Sequence, residues 1–213
     1  IWAAVFPFSI FYFLLSSPAS AVEIDAKEPL QNLKESLQEK DGPENQLAIF
    51  AEVINLSLIE TKDIKDKLLS LVNLDQSGGE FQKNLLRKFD DFIQFYEEQK
   101  ENLEKIKPAP QAKQVKELAQ NLKKWREEVY LSVLNQAKDF ILIHQERLTL
   151  EISLNRYRKI SEIIQKFKTT LAKKGHFKSL EALLGQADGL LKDGGSLHEK
   201  AEELFWQNAS STP

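Results

Sequence analysis

Cysteine is absent from this 213-residue chain. That excludes disulfides, thiolate metal sites and cysteine nucleophiles. Methionine is absent too, even at position 1, which reads as a processed chain or one whose true start is missing. Glycine (8) and proline (7) are scarce and gather between periodic segments, so little along the chain interrupts a helix. The three histidines, His144, His176 and His198, lie far apart. None follows a glutamate by three residues, so the Glu-x-x-His pair of di-iron bundles and the His-Glu-x-x-His metalloprotease pattern are both missing. The paired acids Asp90-Asp91, Glu97-Glu98, Glu127-Glu128 and Glu202-Glu203 point about 100° apart on a helix, which suits solvated surface rather than catalytic dyads. The glycines from Gly189 to Gly194 have the spacing of a phosphate-cradling loop, but Gly195 stands where that loop needs lysine. A Gly-x-Ser-x-Gly elbow is also missing. The reading is therefore a non-enzymatic protein with no catalytic residue, no metal ligand and no cofactor, and no small-molecule substrate is implied. The net charge of −3 is too small to imply a polyanionic partner.

What is present is helical periodicity. Hydrophobic residues make up 42% and charged residues 29%, a balance that suits a folded chain. Gln111 to Lys174 contains neither proline nor glycine. Along it Val115, Leu118, Leu122, Trp125, Val129, Val133, Ala137 and Phe140 step by three and four, and Leu150, Leu154, Tyr157, Ile160, Ile164, Phe167 and Leu171 continue the row. That spacing predicts one core-facing stripe. The fold class expected is all-α: an elongated antiparallel helical bundle built on one very long helix, straight or kinked, and preceded by a signal peptide or membrane anchor. The bundle spans 43–208, with helices near 43–74, 80–107, 111–173, 179–192 and 196–207. Gly42-Pro43-Glu44 starts the first of these, and Asp75 to Gly79 reads as a turn. Lys173-Lys174-Gly175 ends the long helix. Ser196 to Glu199 reads as a capping box opening the last helix. Short turns make neighbours antiparallel, and the C-terminal helices are expected to fold back over the rear of the long one. The tail, 209–213, is expected to fray.

The N-terminus is of a different kind. Ile1 to Leu15 is almost wholly apolar, and Ala19-Ser20-Ala21 before Val22 makes a small-x-small cleavage pattern. Residues 1–21 read as a signal peptide cut between Ala21 and Val22. The alternative is an anchor formed by residues 1–15, although fifteen residues fall short of the ~20 needed to span a bilayer. A polar linker with a short helix, 22–42, follows. Export without disulfides leaves packing alone to hold the fold, a habit of cell-envelope proteins. Asn55-Leu56-Ser57 and Asn208-Ala209-Ser210 match the N-glycosylation pattern, the first inside an expected helix.

Charge is unevenly spread. Residues 22–79 carry 6 basic and 12 acidic side chains, whereas 108–174 carry 14 and 7. The first expectation is complementarity between helices. The second is a basic face over 156–178, with Arg156, Lys159, Lys166 and Lys173 as candidate contacts for an anionic surface such as lipid headgroups, a cell-wall polyanion or nucleic acid. A protein partner is the leading expectation, and the sequence leaves the oligomeric state open.

Overall fold

The computed structural model describes residues 42–107, 110–170 and 178–211. The expected leader and its cleavage point at Ala19, Ala21 and Val22, the polar segment before Gly42, and the stop at Lys173-Lys174-Gly175 lie outside the described residues. Among those described, 94% are helical and none is in a strand. The elements are α1 (Pro43–Ser70), α2 (Gln76–Ile106), α3 (Ala112–Trp125), a π-helical turn (Arg126–Tyr130), α4 (Leu131–Thr170) and α5 (Lys178–Ser211). α3, the π turn and α4 follow one another without a gap. The chain divides into two compact units, one up to Asn135 and one from Gln136.

In the first unit α1 starts as its sequence dictates. Gly42 is the N-cap, Pro43 fills the first helical position and Glu44 lies in the first turn. α1 and α2 pack through Phe50, Ile54 and Leu68 on one side and Leu85, Phe89 and Tyr96 on the other, all at most 3% exposed. The connection between them lies earlier than expected, at 71–75 rather than 75–79. α1 stops at Ser70, so Val72, which helical spacing places in the core, is 58% exposed. Asn73 takes the left-handed conformation at φ 59°, which asparagine adopts more readily than most residues. The expected turn from Asp75 to Gly79 is instead a helix start. Asp75 is the N-cap, and its carboxylate accepts the Gly78 N–H at 2.7 Å. Gly78 is buried, and a Cβ there would lie 3.0 Å from the capping oxygen and 3.4 Å from Leu74 Cδ2. The close approach of the cap therefore favours glycine, since any side chain there would press on the capping carboxylate. Gln82 then donates from α2 to the Leu68 carbonyl at 2.6 Å, joining the Leu71 N–H on that acceptor at the end of α1.

The long helix departs from its simple stripe at the π turn. Val129, expected inside, is 43% exposed, while Arg126 and Tyr130 are 5% and 0% exposed. Inward residues run Leu122, Arg126, Tyr130, Leu134, three steps of four in a row. On an α-helix each such step overshoots a turn by about 40°. The wider turn over Arg126–Tyr130 absorbs the overshoot and keeps all four on one side.

The second unit consists of the rest of α4 with α5. Phe140 stacks on Phe205, Glu146 meets His198, a Cβ on Gly194 would meet Leu150, and Lys168 bonds Glu181. Positions rise along α4 as they fall along α5, so the two helices are antiparallel. The two short helices expected after residue 178 are a single helix through Gly185, Gly189, Gly194 and Gly195, and the supposed capping box at Ser196 has no helix start to cap. Each glycine costs about 1 kcal/mol against alanine. Apolar residues seated on α4 at both ends of α5 offset that cost. Gly194 also gives something back, since its imagined Cβ would lie 3.2 Å from Leu150 Cδ2, closer than a comfortable contact.

The cap predicts a coupled pair of variants. Gly78→Ala and Asp75→Ala should each cost about 1 kcal/mol in denaturant unfolding. The double variant should cost about as much as Asp75→Ala alone, because the Cβ added at position 78 crowds the same Asp75 carboxylate that Asp75→Ala removes.

Candidate functional site

Two places in the fold carry more than ordinary helix contacts. One is a buried polar cluster in the first unit. The other is an open apolar face in the second.

The cluster forms where α1, α2 and the π turn meet. Arg126 donates to Tyr96 Oη at 2.7 Å, to Ser57 Oγ at 2.9 Å and to Glu60 Oε2 at 3.2 Å. Its guanidinium also lies 4.6 Å from the centre of the Tyr130 ring. The Tyr130 hydroxyl donates to Glu60 Oε2 at 3.1 Å and sits 3.1 Å from Thr61 Oγ1. Ser57 and Thr61 donate to the carbonyls of Val53 and Ser57, one turn back. Trp125 stacks on Phe95 with ring centres 3.9 Å apart, and Phe92 meets Trp125 and Tyr130 edge-on. Burial pushes the Tyr130 hydroxyl well above the usual phenol value, and the Glu60 carboxylate adds to the push. Burial raises Tyr96 as well, against the opposing charge of Arg126. Burial alone would lower Arg126, but Tyr96, Glu60 and Tyr130 outweigh it and the guanidinium is held more firmly charged than usual. Ser57, Thr61, Tyr96 and Tyr130 are at most 1% exposed. Its hydrogen bonds join α1, α2 and the π turn, so the cluster acts as a clamp between three segments.

The open face belongs to α5 and the facing side of α4. Leu183, Leu190, Leu197 and Leu204 recur every seven residues and are 61, 73, 64 and 59% exposed. One position along, Leu184 and Leu191 are half-buried while His198 and Phe205 are buried. α5 thus carries two adjacent heptad rows. One seats on α4, and the other faces outward with the leucines of a coiled-coil seam. On α4 the expected core stripe holds only in part over its rear half: Leu150, Tyr157 and Ile164 are half-buried, while Leu154, Ile160 and Phe167 are 37, 51 and 55% exposed. The reason is geometric: α5 covers one side of α4, and a broad apolar face needs more than one neighbour. Between the two helices runs an open groove of about 490 Å³, lined by Tyr157, Ile160 and Ile164 on α4 and by Leu183, Leu184 and Leu190 on α5.

The residues nominated for an anionic surface are only partly brought together. Arg156, Lys159 and Lys166 are exposed on α4, and Arg156 lines the groove. Lys168, on the same helix, is bonded to Glu181 of α5, and Lys173 lies outside the described residues. The expected pairing between the basic long helix and acidic neighbours holds at Arg126–Glu60 and Lys168–Glu181. Lys113, Lys123 and Lys124 instead pair within their own helix with Glu117, Glu127 and Glu128. His144 is buried, and Arg147 approaches its Nδ1 at 3.2 Å. His198 is buried as well, 3.4 Å from Glu146 and 3.9 Å from Glu202. No group of three or more metal-ligating side chains occurs among the described residues. Ser57 of the first glycosylation pattern is 1% exposed.

Arg126 went unnoticed in the sequence because an arginine in a charged helical stretch reads as solvated. The steps of four from Leu122 through Tyr130 were its signal. The leucine heptad went unnoticed because Gly189 and Gly194-Gly195 appeared to divide it. Comparison with protein-family models, curated proteins and solved structures finds no match to this chain.

The clamp predicts steep asymmetry. Arg126→Met or Glu60→Gln alone should destabilise the first unit by about 3–5 kcal/mol, whereas Glu60→Leu with Arg126→Met should recover much of the loss. Denaturant unfolding measures both. The tyrosines predict the alkaline limit. Their folded pKa values lie above the unfolded value of about 10. The associated stability is therefore complete below about pH 10 and is lost as pH rises toward the folded values. Phenolate absorbance from Tyr96 and Tyr130 should appear together with loss of helical circular dichroism, not before it.

Proposed function

We propose that this protein is an exported, non-enzymatic interaction module of the cell envelope or extracellular space. Its working part is the open face of the α4–α5 pair, which takes up amphipathic helices as a groove takes a ridge. The observation that carries this reading is the outward row Leu183, Leu190, Leu197 and Leu204. A helix with apolar residues on two adjacent sides gains by burying both, and exposed apolar rows of this length mark interaction sites. Export rests on the apolar segment and the Ala19-Ser20-Ala21 pattern of the N-terminus. Among the described residues no helix is long and apolar enough to cross a membrane.

An anionic-surface reading draws on the exposed Arg156, Lys159 and Lys166. Against it, Lys168 of the same helix is already bonded to Glu181 of α5, and α5 as a whole carries six carboxylates against three lysines.

The reading predicts that an environment-sensitive apolar dye binds the dilute folded protein. Leu183→Glu with Leu190→Glu should reduce that binding by about tenfold or more while leaving helix content unchanged, since surface changes usually alter stability by under about 0.5 kcal/mol. Equal dye binding by both proteins would remove the face as the working part. Protein sequencing of the exported form should find Val22 first, and an intact Ile1 would remove the cleaved leader.

A further inference from the structure

We infer that the occupant of this open face is one amphipathic helix of a partner protein, with acidic residues along the edge that lies beside α4. The inference rests on the reading of the face as a docking surface and adds the chemistry of what docks. Two observations carry it.

The first is the spacing of both walls. Leu183, Leu190, Leu197 and Leu204 repeat every seven residues on α5, over about 32 Å at a rise of about 1.5 Å per residue. On α4, Ile160, Ile163 and Phe167 are 51, 51 and 55% exposed, and their steps of three and four are those of a coiled-coil seam. Arg156 holds the seam position four residues before Ile160 and lines the groove with it. The open channel between the walls suits the ridge of a third helix. A bilayer surface would bridge that channel without filling it. A third helix lying along it touches both rows at once, and both heptad rows of α5 then have a destination.

The second is the sign of charge on the rim. Adjacent residues on a helix point about 100° apart, so residues two apart point to nearly opposite sides. Glu181, Asp188, Glu199 and Glu202 each stand two residues from an outward leucine, which places them on the far side of α5. Three of them are engaged within the chain: Lys168 bonds Glu181, Lys192 pairs with Asp188 at 2.6 Å, and His198 lies 3.9 Å from Glu202.

The edge of α4 is of the other sign. Lys159 and Lys166 precede Ile160 and Phe167 by one residue and are exposed. That is the position that flanks a heptad seam and selects the charge of the partner. Glu162, the one acid from Ser153 to Thr170, lies further round, on the side away from the groove. Among the described residues neither Arg156 nor Lys159 forms an ion pair. Along the outer edge of α5 stand Asp193, Lys200 and Glu203, of mixed sign, so the selective edge is the one on α4. A helix that brings carboxylates to Arg156 and Lys159 gains there, and one that brings lysines is repelled.

The test titrates the full chain, up to about 100 μM, against fluorescently labelled four-heptad peptides at nanomolar concentration, read by anisotropy. One peptide carries leucine at both seam positions, glutamate along one flank and glutamine elsewhere. The other has lysine in place of glutamate. The glutamate peptide should bind about tenfold or more tighter than the lysine peptide, with a gap that narrows as salt screens the rim. Leu183→Gln with Leu190→Gln should weaken both peptides by about tenfold or more while helix content is retained. Arg156→Glu with Lys159→Glu should reverse the preference. Equal affinities, or a preference that survives the charge reversal, overturn the acidic partner and leave the open face standing. Binding of neither peptide overturns the helix as occupant. The face then belongs to a lipid surface if the chain binds vesicles of equal parts phosphatidylserine and phosphatidylcholine, or to a second copy if its mass doubles in sedimentation. Absence of dye binding as well sinks the docking face itself.

Discussion

The first unit depends on one buried cation. A guanidinium withdrawn from water is tolerated only if its charge and its donors are met. Arg126 is met by a carboxylate on α1, a phenol on α2, a hydroxyl on α1 and the ring of Tyr130. Those partners fix the height and rotation of three helical segments at once. Leucines in their place would allow a slide of one turn at small cost. The π turn belongs to the same constraint, because its wider turn offsets the drift of about 40° per step of four and keeps Arg126, Tyr130 and Leu134 in line with Leu122. The clamp and the irregular backbone therefore explain each other.

The second unit poses the opposite problem. It holds few charges inside and shows too many apolar residues outside. α5 meets α4 through Phe205, His198 and the close approach at Gly194, and one position away it turns a full row of leucines to solvent. Glycine at 185, 189, 194 and 195 keeps α5 intrinsically weak as a helix. Burial of its outward row would supply what its propensity lacks. Weak intrinsic helicity together with an uncovered seam is consistent with a surface finished by association.

Much of the fold was legible because its signals are local. Pro43 with Glu44, the breaker-free run from Gln111, and the spacing of Leu85, Phe89, Phe92 and Tyr96 each announce a helix without help from the rest of the chain. The misreadings arose where a local signal has two physical meanings. Gly78 reads as a turn and serves as the close approach of a cap. Gly194 reads as a break and serves as a contact with Leu150. Arg126 reads as solvated and is the most deeply committed charge in its unit. In each case a neighbour tens of residues away, or a cap reached only after folding, chooses between the meanings.

By itself the sequence determined helicity, the absence of thiol chemistry, the missing signatures of familiar catalytic and metal sites, and the uneven placement of charge. These follow from residue type and from spacing within a few turns. Tertiary structure alone decided which apolar rows became interior, that Val129 would yield to Tyr130, and that Leu190 would face outward while Leu191 turned toward α4. The reason is that periodicity belongs to one helix, whereas burial belongs to a pair. A stripe can be counted along a single chain, but which side of it stays dry is settled by the helix that lies against it.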